Sequence, residues 1–418
     1  MYLRDPARGR PRATRSTRGS ATLRASLAIL RAVKWVVHYA ELGLKGRNRP
    51  RFEKTLCENL VRALAPLGRA QARRLYGRIL VEAPEGAKPE AIAERLGRVF
   101  GVAYFSVAST FEPTREAITA AVDAFVASRS FASFGVRVRR VDKSLPFRSN
   151  ELAGELGARI HARTGARVDL GSPELWVDLH LLHGEAILLH ERRPGPGGLP
   201  VRSSGRALAL VSGGIDSPVA AWLLAKRGCE LSFVHFHSAP YTSSASQRKV
   251  RDALTRLAAW TGPGKLWMVP FGELQQTLVR EAPAEPRIVL YRRFMIRIAE
   301  ALADRVGALA LVTGDSVGQV SSQTLANLDT INRAATLPVL RPLVGSDKGE
   351  IIQLAKRIGT YEISIEPDED CCSFLMPRQP ATWTRPGPIE AIEQKLPVKM
   401  LVEATLSRVE QERIEPIS

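Results

Sequence analysis

LVSGGIDSPVAAWLLAKRG, residues 210–228, is the part of the sequence that says most about the fold. It continues an apolar run over residues 206–211, which predicts a buried strand. Ser212-Gly213-Gly214 interrupt this pattern. Alanines and leucines follow, with Pro218 in the first turn and Gly228 just past the end, as helices prefer. The stretch therefore predicts a strand, a glycine loop and a helix in direct succession.

The predicted glycine loop has the chemistry of an anion-binding site. Glycines let a backbone approach a ligand closely, and a helix N-terminus offers unpaired N–H groups and the positive end of its dipole. Ser212 and Ser217 add hydroxyl groups that can donate to phosphate oxygens. Asp216 is a carboxylate, which is repelled by phosphates unless a cation such as Mg²⁺ bridges the two. The loop therefore predicts a site for a nucleotide with Mg²⁺.

Two common nucleotide-binding motifs do not occur in the chain. Gly264-Lys265, the one candidate for GxxxxGK[ST], is followed by Leu266, and the glycine loop does not read GxGxxG. The loop reads SGGxDS instead, which resembles the PP-loop of the ATP pyrophosphatases, enzymes that cut ATP between its α- and β-phosphates and adenylate an oxygen. The alternative is an ordinary strand-to-helix turn whose glycines serve packing.

Length and composition indicate two or three domains. With 418 residues, 45% of them hydrophobic, the chain can bury more than one core. No apolar stretch is long and uncharged enough to span a bilayer, so a soluble, cytoplasmic protein is expected. The net charge of +18 favours a polyanionic partner such as a nucleic acid.

Much of this charge lies at the start of the chain. Residues 1–34 hold nine Lys/Arg and one acid, Asp5, which gives +8 and leaves +10 for the rest. The segment is rich in Arg, Ser, Thr, Ala and Pro without sustained periodicity, which predicts a disordered basic tail over residues 1–33. Three explanations of this tail are open: translation from an upstream start codon, a targeting segment, or an arm that binds RNA. The first of these, or a dispensable arm, is preferred.

The four cysteines are too few for a disulfide scaffold in a chain of this length. No CxxC occurs, so zinc ribbons and cysteine-held iron–sulfur clusters lack their ligand spacing, and no metal-ligand set is predicted. Cys57 and Cys229 fit structural roles. Cys371 and Cys372 follow an acidic stretch at no core periodicity, which indicates a loop available for sulfur chemistry. A disulfide between these neighbours would be strained, because adjacent Cα atoms lie only about 3.8 Å apart.

Apolar patterns and breakers divide the rest of the chain. Residues 34–87 and 88–192 predict two small α+β units, followed by a Pro- and Gly-rich linker over 193–205. The first unit has predicted strands over 34–39 and 78–82 and a helix over 52–67. The second has a helix ending at Gly97, helices over 114–127 and 149–164, and strands over 102–109, 135–141, 175–180 and 185–192.

Strands and helices alternate over 206–395, which predicts a doubly wound parallel α/β sheet, and residues 396–418 predict a helical tail. The predicted helices here include 246–261, 287–306 and 321–335, and a last one that Asp347 and Glu350 could begin as a capping box and Gly359 ends. Ligands of such sheets bind at the carboxyl ends of the strands. The predicted strand ends are Leu210-Val211 with the glycine loop, His235-Phe236, Gly272, Thr313-Gly314-Asp315 and Arg341-Pro342.

Over nearly everything after residue 34, the chain resembles the tRNA 4-thiouridine synthetases, the ThiI family. Besides the glycine-loop stretch, the matching segments are YAELGLKGRNRPRFEKTL, VRRVDKSLPFRSNELAGELG, VHFHSAPYTSSASQRKV, YRRFM, VTGDSVGQVSSQTLANL, RPLVGSDKGEII and EDCCSF. The resemblance implies a ferredoxin-like domain over 34–87, a THUMP domain that grips the tRNA acceptor end over 88–192, and a PP-loop ATP pyrophosphatase domain over 206–395. It also implies ATP-dependent replacement of O4 by sulfur on the uridine at tRNA position 8.

The resemblance further implies which residues form the site. The implied ATP-binding residues are Leu210, Val211, Ser212, Gly213, Gly214, Asp216, Ser217, His235, Phe236, Arg292, Gly314 and Gln323. The implied catalytic residues are Cys372, Asp216 and Cys371. ATP converts O4 into an adenylate, a good leaving group, and pyrophosphate is released. Sulfur then arrives as a persulfide on Cys372, loaded by a cysteine desulfurase, and attacks C4.

The sequence departs from the family pattern in three places. Asp315 stands where the family usually has Glu, and Ala40 stands where it has Gly. The chain resembles the short family members, so no rhodanese domain is expected, which weakens any inference of a role in thiazole synthesis. The family often forms homodimers, although the sequence shows no interface signature.

Basic strings in the first two units predict contacts with RNA phosphates. The candidates are Lys45, Arg47, Arg139, Arg140, Lys143 and Arg148. Such clusters favour salt-dependent and largely shape-based recognition of a folded RNA. The alternative is an ordinary solvated surface, with the valines between the arginines marking a half-buried edge strand.

Two other functions remain open from the sequence. A different PP-loop enzyme that modifies tRNA or adds nitrogen, of the lysidine or GMP synthetase type, would share the loop. The cysteine pair and the THUMP-like half disfavour it. A tRNA-binding protein or RNA chaperone without catalysis is disfavoured by the intact glycine loop, from Ser212 to Ser217.

Overall fold

The computed structural model describes residues 34–75, 77–367 and 375–416. They form two compact units, one of residues 34–36, 80–83 and 106–192, the other of residues 37–79, 84–105 and 193–416. The predicted tail over 1–33 and the cysteines Cys371 and Cys372 lie outside the described residues. The bounds of these two compact units differ from those of the predicted domains, and the predicted domain boundaries stay a prediction.

The elements of the first half agree with the predicted ones within a few residues, apart from the short strands β2 and β6, which were not predicted. They are β1 (Lys34–His38), α1 (Arg49–Leu64), β2 (Gln71–Leu75), β3 (Arg78–Glu82), α2 (Pro89–Leu96), β4 (Tyr104–Phe111), α3 (Arg115–Ala127), β5 (Ser133–Arg140), α4 (Ser149–Thr164), β6 (Arg167–Val168), β7 (Leu175–Leu182) and β8 (Glu185–Pro194).

The first unit is an α+β structure in which two helices cover a mixed sheet. Its strands follow the order β3-β1-β4-β8-β7-β5-β6. The boundary of the unit cuts through β1, β3 and β4, so only part of each of these strands belongs to it. Thr114 caps α3 by accepting a hydrogen bond from the Ala117 amide at 3.2 Å. Apolar residues three or four apart on α3 and α4 face the sheet. The core contains Ile118, Val122, Phe125, Leu152, Leu156, Ile160, Val177 and Leu179.

The second half continues with helices and strands in alternation. The elements are β9 (Arg206–Leu210), α5 (Asp216–Lys226), β10 (Glu230–His237), α6 (Ala245–Thr261), β11 (Gly264–Pro270), α7 (Gly272–Glu281), α8 (Arg287–Val306), β12 (Leu311–Val312), α9 (Leu325–Asn332), β13 (Val339–Leu340), α10 (Lys348–Ile358), α11 (Tyr361–Ser364), α12 (Pro386–Glu393), α13 (Val398–Leu406) and β14 (Glu410–Ile414).

A six-stranded sheet with helices on both faces organises the second unit. Its strand order is β13-β12-β9-β10-β11-β14, and the first five strands are parallel. Along β9, Ala207 and Ala209 pack with α5, α6 and α10, whereas Leu208 packs with α7, α8 and α9. Both faces are buried, which is why the strands read as continuous apolar runs. The predicted doubly wound parallel sheet is confirmed.

The structure corrects several predicted elements. The predicted helical tail is wrong in part: α13 is followed by β14, which pairs antiparallel with β11 at the edge of the sheet. Helix α7 was not predicted. The predicted helix over 321–335 consists of a 3₁₀ turn, Ser321–Gln323, and then α9, because the Thr324 side chain caps a new helix by accepting from the Asn327 amide. No helix among the described residues is long and apolar enough to cross a membrane.

Candidate active site

A cavity of about 320 Å³ opens where the strands β9, β10, β12 and β13 end. This is the position that a doubly wound sheet offers to a ligand. The predicted residues that line it are Leu210, Val211, Ser212, Gly214, Asp216, Ser217, His235, Phe236, Arg292, Gly314 and Gln323. Gly213 lies in the same loop but is not among the lining residues. The residues come from five separate segments, which the fold brings to one place.

The glycine loop is held by hydrogen bonds within itself. The Ser217 hydroxyl accepts from the Ser212 amide at 2.8 Å and donates to the Ser212 carbonyl at 3.3 Å. The Gly214 amide donates to the Ser212 hydroxyl at 3.4 Å. Ser217 therefore closes the loop from the first turn of α5. A loop held in this way presents its backbone without a further loss of conformational entropy when an anion binds.

Asp216 is paired with two residues that the sequence alone did not single out. Its carboxylate accepts from the Lys348 ammonium at 2.7 and 3.0 Å and from the Gln319 amide nitrogen at 2.9 Å. Lys348 begins α10, shortly after β13 ends. The rule that ligands bind at strand ends points to this segment, although it does not indicate which side chain turns inward. The arrangement places one anionic and one cationic group at the mouth of the glycine loop.

A buried carboxylate orders two arginines on another wall of the cavity. Asp315, only 3% exposed, accepts from the Arg292 guanidinium, from the Thr313 hydroxyl at 2.8 Å and from Arg341 Nε at 3.2 Å. Burial by itself would raise the pKa of Asp315, but Arg292 and Arg341 hold that pKa below its ordinary value. Arg341 Nη2 is buried and has no hydrogen-bond partner among the described residues. Both guanidinium groups line the cavity, so their positive charge is available to an anion.

The remaining wall of the cavity is apolar. It is formed by Leu210, Phe236, Met295, Ile296 and Ile331. The Phe236 ring packs edge-on against Phe271, with ring centroids 5.5 Å apart. A flat aromatic ligand fits such a wall, whereas phosphates fit the charged side.

Two histidines of β10, His235 and His237, lie next to this wall. His235 Nδ1 donates to the Val211 carbonyl at 2.9 Å, which ties β10 to the end of β9. Burial lowers the pKa of His237 to about 4, so its imidazole is neutral at pH 7. Among residues 34–75, 77–367 and 375–416, no group of three or more His, Cys, Asp or Glu could hold a metal ion.

Gly314 permits the close approach of the β12 end to the first turn of α5. A Cβ at this position would lie 2.8 Å from the Ser217 amide nitrogen and 2.9 Å from the Ser217 Cα. Both are backbone atoms, so a side chain swing cannot relieve the contact. We expect Gly314→Ala to lower the free energy of unfolding by about 2 kcal/mol and to weaken ATP binding, because the loop must move.

Chemical denaturation and ATP titration measure these two effects. Gly387→Ala is the matched control, since a Cβ there meets nothing within 4 Å. An unchanged ATP affinity in Gly314→Ala would mean that the close approach serves packing alone.

Hydrogen bonds hold the chain before and after the cysteine pair close to residues of the cavity. The buried Lys249 ammonium donates to the Ser364 carbonyl at 3.1 Å and to the Glu366 carbonyl at 2.6 Å. The Ser364 hydroxyl donates to the Gly214 carbonyl of the glycine loop at 3.4 Å. After the cysteines, the carbonyl of Thr382 accepts from the Thr324 hydroxyl at 2.8 Å, next to the Gln323 turn. Cys371 and Cys372 themselves lie outside the described residues.

The other two cysteines are unsuited to sulfur chemistry. Burial raises the pKa of the Cys57 thiol to about 11 and raises that of Cys229 as well. The reactive thiolate is therefore scarce at neutral pH in both.

The predicted RNA-binding residues fall into both units. Lys45, with its ammonium 5.3 Å from the centre of the Phe52 ring, and the exposed Arg47 belong to the second unit. In the first unit, Arg139, Lys143 and Arg148 are exposed. Arg140 donates to the carbonyls of Leu145 at 3.3 Å and Phe147 at 2.7 Å, so it holds the loop after β5. RNA binding by these six side chains stays a prediction.

The structure places another residue of the predicted basic string, Arg137, over an aromatic ring. The Arg137 guanidinium lies 4.1 Å from the centre of the Trp176 ring and 3.9 Å from Asp178. An arginine over an aromatic ring is a surface that nucleic acids use. Arg137 is the first residue of the basic string over 137–143, and RNA binding by it stays a prediction.

Family models match three parts of the chain. Residues 202–398 match the family model described as thiamine biosynthesis protein (ThiI). Residues 34–106 match the ThiI ferredoxin-like domain, and residues 112–191 match the THUMP domain.

Curated relatives match the chain over most of its length. A probable tRNA sulfurtransferase of Thermus thermophilus is 47% identical over 372 residues, which is 89% of this chain and 91% of the relative. One of Moorella thermoacetica is 44% identical over 382 residues, covering 91% of this chain and 97% of the relative.

Solved structures agree with these matches. A crystal structure of a 4-thiouridine synthetase–RNA complex with bound ATP has a TM-score of 0.84 at 36% identity, covering 92% of this chain and 100% of that one. PH1313 from Pyrococcus horikoshii has a TM-score of 0.58 at 22% identity, covering 78% of this chain and 99% of that one, and shares the fold.

Proposed function

The chain belongs to the ThiI family of tRNA sulfurtransferases, and from that premise we propose that it uses ATP to convert the uridine at tRNA position 8 into 4-thiouridine. As a member of this family it is a tRNA sulfurtransferase. The observation that carries the finer proposal is the cavity in which the glycine loop, Asp216 with Lys348, and two arginines held by Asp315 meet. The related 4-thiouridine synthetase whose structure contains bound ATP and RNA supports both ligands.

The cavity fits ATP in one orientation. Adenine packs on the apolar wall formed by Leu210, Phe236 and Met295, because that wall has no charge to leave unpaired. The phosphates lie toward the glycine loop, whose N–H groups donate to them, and toward Arg292 and Arg341, whose positive charge they neutralise.

Asp216 fits a Mg²⁺ ion that accompanies the nucleotide. Mg²⁺ in nucleotide sites is held by one or two carboxylates and by phosphate oxygens, and Asp216 is the carboxylate at the glycine loop. When bound, the ion supplies positive charge that stabilises the departing pyrophosphate. Lys348 neutralises Asp216 before the nucleotide arrives and is then available to the phosphates.

The chemistry proceeds in two displacements. Uridine O4 attacks the α-phosphorus of ATP, and pyrophosphate leaves toward Arg292, Arg341 and Lys348, which stabilise its charge. The terminal sulfur of a persulfide on Cys372 then attacks C4, and AMP leaves with O4. The S–S bond between the sulfur on C4 and the sulfur of Cys372 is then cut by an external dithiol. Its first thiol forms a mixed disulfide with Cys372 while 4-thiouridine leaves, and its second thiol frees the Cys372 thiol as the dithiol is oxidised to a disulfide. A cysteine desulfurase reloads Cys372.

Transfer of labelled sulfur tests this proposal. The purified chain is incubated with unmodified tRNA, ATP, Mg²⁺, radiolabelled cysteine and a cysteine desulfurase, and the label is mapped along the tRNA. Label at position 8 that depends on ATP supports the proposal. Pyrophosphate release without label would indicate a PP-loop enzyme that adds another group. The absence of both pyrophosphate release and label would indicate a tRNA-binding protein without catalysis.

Lys249 offers a separate test of the sulfur-carrying segment. Lys249→Met removes the donor that holds the Ser364 and Glu366 carbonyls, shortly before Cys371 in the sequence. We expect sulfur incorporation to fall by roughly 10²-fold, because misplacement of a reacting group by about 1 Å costs that much. Pyrophosphate release should fall much less.

The exposed Lys265→Met is the matched control for Lys249→Met. Both rates are measured on the same preparation, and thermal unfolding confirms that the variant folds. If sulfur incorporation and pyrophosphate release fell in parallel, Lys249 would support the fold as a whole rather than position the sulfur carrier.

A further inference from the structure

A second cleft, of about 470 Å³, lies in the second unit and shares no lining residue with the candidate active site. Among its described lining residues, five are arginines from four different helices or their immediate ends, and one, Glu94, is an acid. The arginines are Arg62 on α1, Arg95 on α2, Arg98 just after α2, Arg256 on α6 and Arg357 on α10. We name this feature the arginine cleft.

The described residues neutralise little of the charge in the arginine cleft. Glu94 pairs with Arg98 at 2.6 Å. Arg62 donates to the Asn59 side-chain oxygen at 3.1 Å and Arg95 to the Ala63 carbonyl at 3.3 Å, and both acceptors are neutral. Burial, and then the like charge of Arg202, lower the pKa of Arg62, and the opposing effect of Glu58 and Glu230 is smaller. A negatively charged ligand would relieve this repulsion.

The cleft also contains aromatic rings. Phe100 and Trp260 line it, with ring centroids 6.0 Å apart, and Trp260 is half-buried. Arginines combined with an accessible aromatic ring are typical of surfaces that track a nucleic acid strand, in which phosphates meet guanidinium groups and bases meet rings. Arginine and aromatic residues also occur at protein interfaces, so the excess of positive charge, five arginines against one described glutamate, is what favours a polyanion over a protein.

We propose that the arginine cleft is a second RNA-binding site, which holds phosphodiester groups of the tRNA substrate. This inference rests on the proposed function, since it takes the tRNA substrate as given. The cleft contains none of the six predicted RNA-binding residues, because its arginines are dispersed over four segments and form no basic string in the sequence. Free nucleotide is a poorer match than RNA, because the cleft has no glycine loop and no carboxylate left to hold a metal ion.

The test is the salt dependence of tRNA binding by the full chain. The variant combines Arg256→Gln and Arg357→Gln, two exposed side chains. At about 0.1 M salt we expect its tRNA affinity to fall about tenfold, and the slope of log K against log salt to become shallower by about 1 to 2, since each lost phosphate contact accounts for about 0.9. Its ATP affinity without RNA should match that of the native chain.

The control combines Arg305→Gln and Arg333→Gln, which remove the same charge from exposed positions outside the cleft. Equal tRNA affinities and equal salt slopes for the cleft variant and the control would overturn the inference. The proposed function would stand in that case, because the native chain would still bind tRNA. A weakened ATP affinity with an unchanged tRNA slope would overturn it in favour of a nucleotide site. Absence of tRNA binding by the native chain would overturn both proposals. The single variant Arg256→Glu repeats the test if the double variant does not fold.

Discussion

Asp216→Asn is expected to slow tRNA-dependent pyrophosphate release by about 10³-fold, the effect of losing one pre-organised electrostatic group in a catalytic site. Asparagine keeps the shape of the side chain and removes its negative charge. The Lys348 ammonium, 2.7 Å away, then loses its counter-charge, and the proposed Mg²⁺ loses its carboxylate ligand. Pyrophosphate release with saturating ATP and tRNA measures the loss.

The fold should tolerate this substitution. Asp216 begins α5 and keeps about a fifth of its side chain exposed, so the variant loses a helix-end interaction of about 0.3–1 kcal/mol. Asp329→Asn is the control, because Asp329 is exposed and pairs only with Arg333 on its own helix turn in the described structure. A loss of less than about tenfold in Asp216→Asn would exclude Asp216 from the electrostatic role proposed here.

Cys372→Ala is expected to abolish sulfur incorporation into tRNA while pyrophosphate release continues. The proposed mechanism separates activation of O4 from delivery of sulfur, and the two steps use different residues. Without Cys372 no protein-held persulfide forms, and the adenylated tRNA loses AMP to water. Label from radioactive cysteine and released pyrophosphate are measured in one reaction.

Three other cysteine variants serve as comparisons for Cys372→Ala. Cys57→Ala and Cys229→Ala should retain full sulfur transfer, because both thiols have a raised pKa in the structure. Cys371→Ala tests the neighbouring position directly. If label still entered the tRNA with Cys372→Ala, the carrier would be Cys371 or free sulfide. Loss of label with Cys371→Ala would then identify Cys371 as the carrier, and retained label would identify free sulfide.

The sequence predicts local structure where short-range physics governs it. The glycine loop between β9 and α5 follows from an apolar strand, a small-residue turn and a helix start within one short stretch. The same holds for α4 and α8, whose bounds match the predicted ones, and for the start of α10. There Asp347 and Glu350 form the expected capping box, with the Glu350 amide donating to Asp347 at 2.9 Å. These features depend on neighbours along the chain.

The parallel sheet also follows from the sequence, and so does the edge at which a ligand binds. Alternating apolar strands and helices determine the order of layers, and all strand ends of a parallel sheet face the same side. The predicted ATP-binding residues therefore come together around one cavity, although their binding role stays a prediction. Family resemblance added their identities, which periodicity could not supply.

Tertiary structure alone decided which side chains face each other across that cavity. Asp216 and Lys348 are 132 positions apart, and Arg341 and Asp315 come from neighbouring strand ends. No local pattern encodes such pairs, because they depend on strand order and on the direction in which each loop turns. The edge strand β14 escaped prediction for the same reason: its polar residues become a strand only by pairing with β11. The arginine cleft is a third case, since four helices must pack before its charges converge. The sequence thus determined most of the elements and the edge of the sheet where a ligand is expected, and long-range packing determined which side chains meet there and where the edge strand β14 pairs.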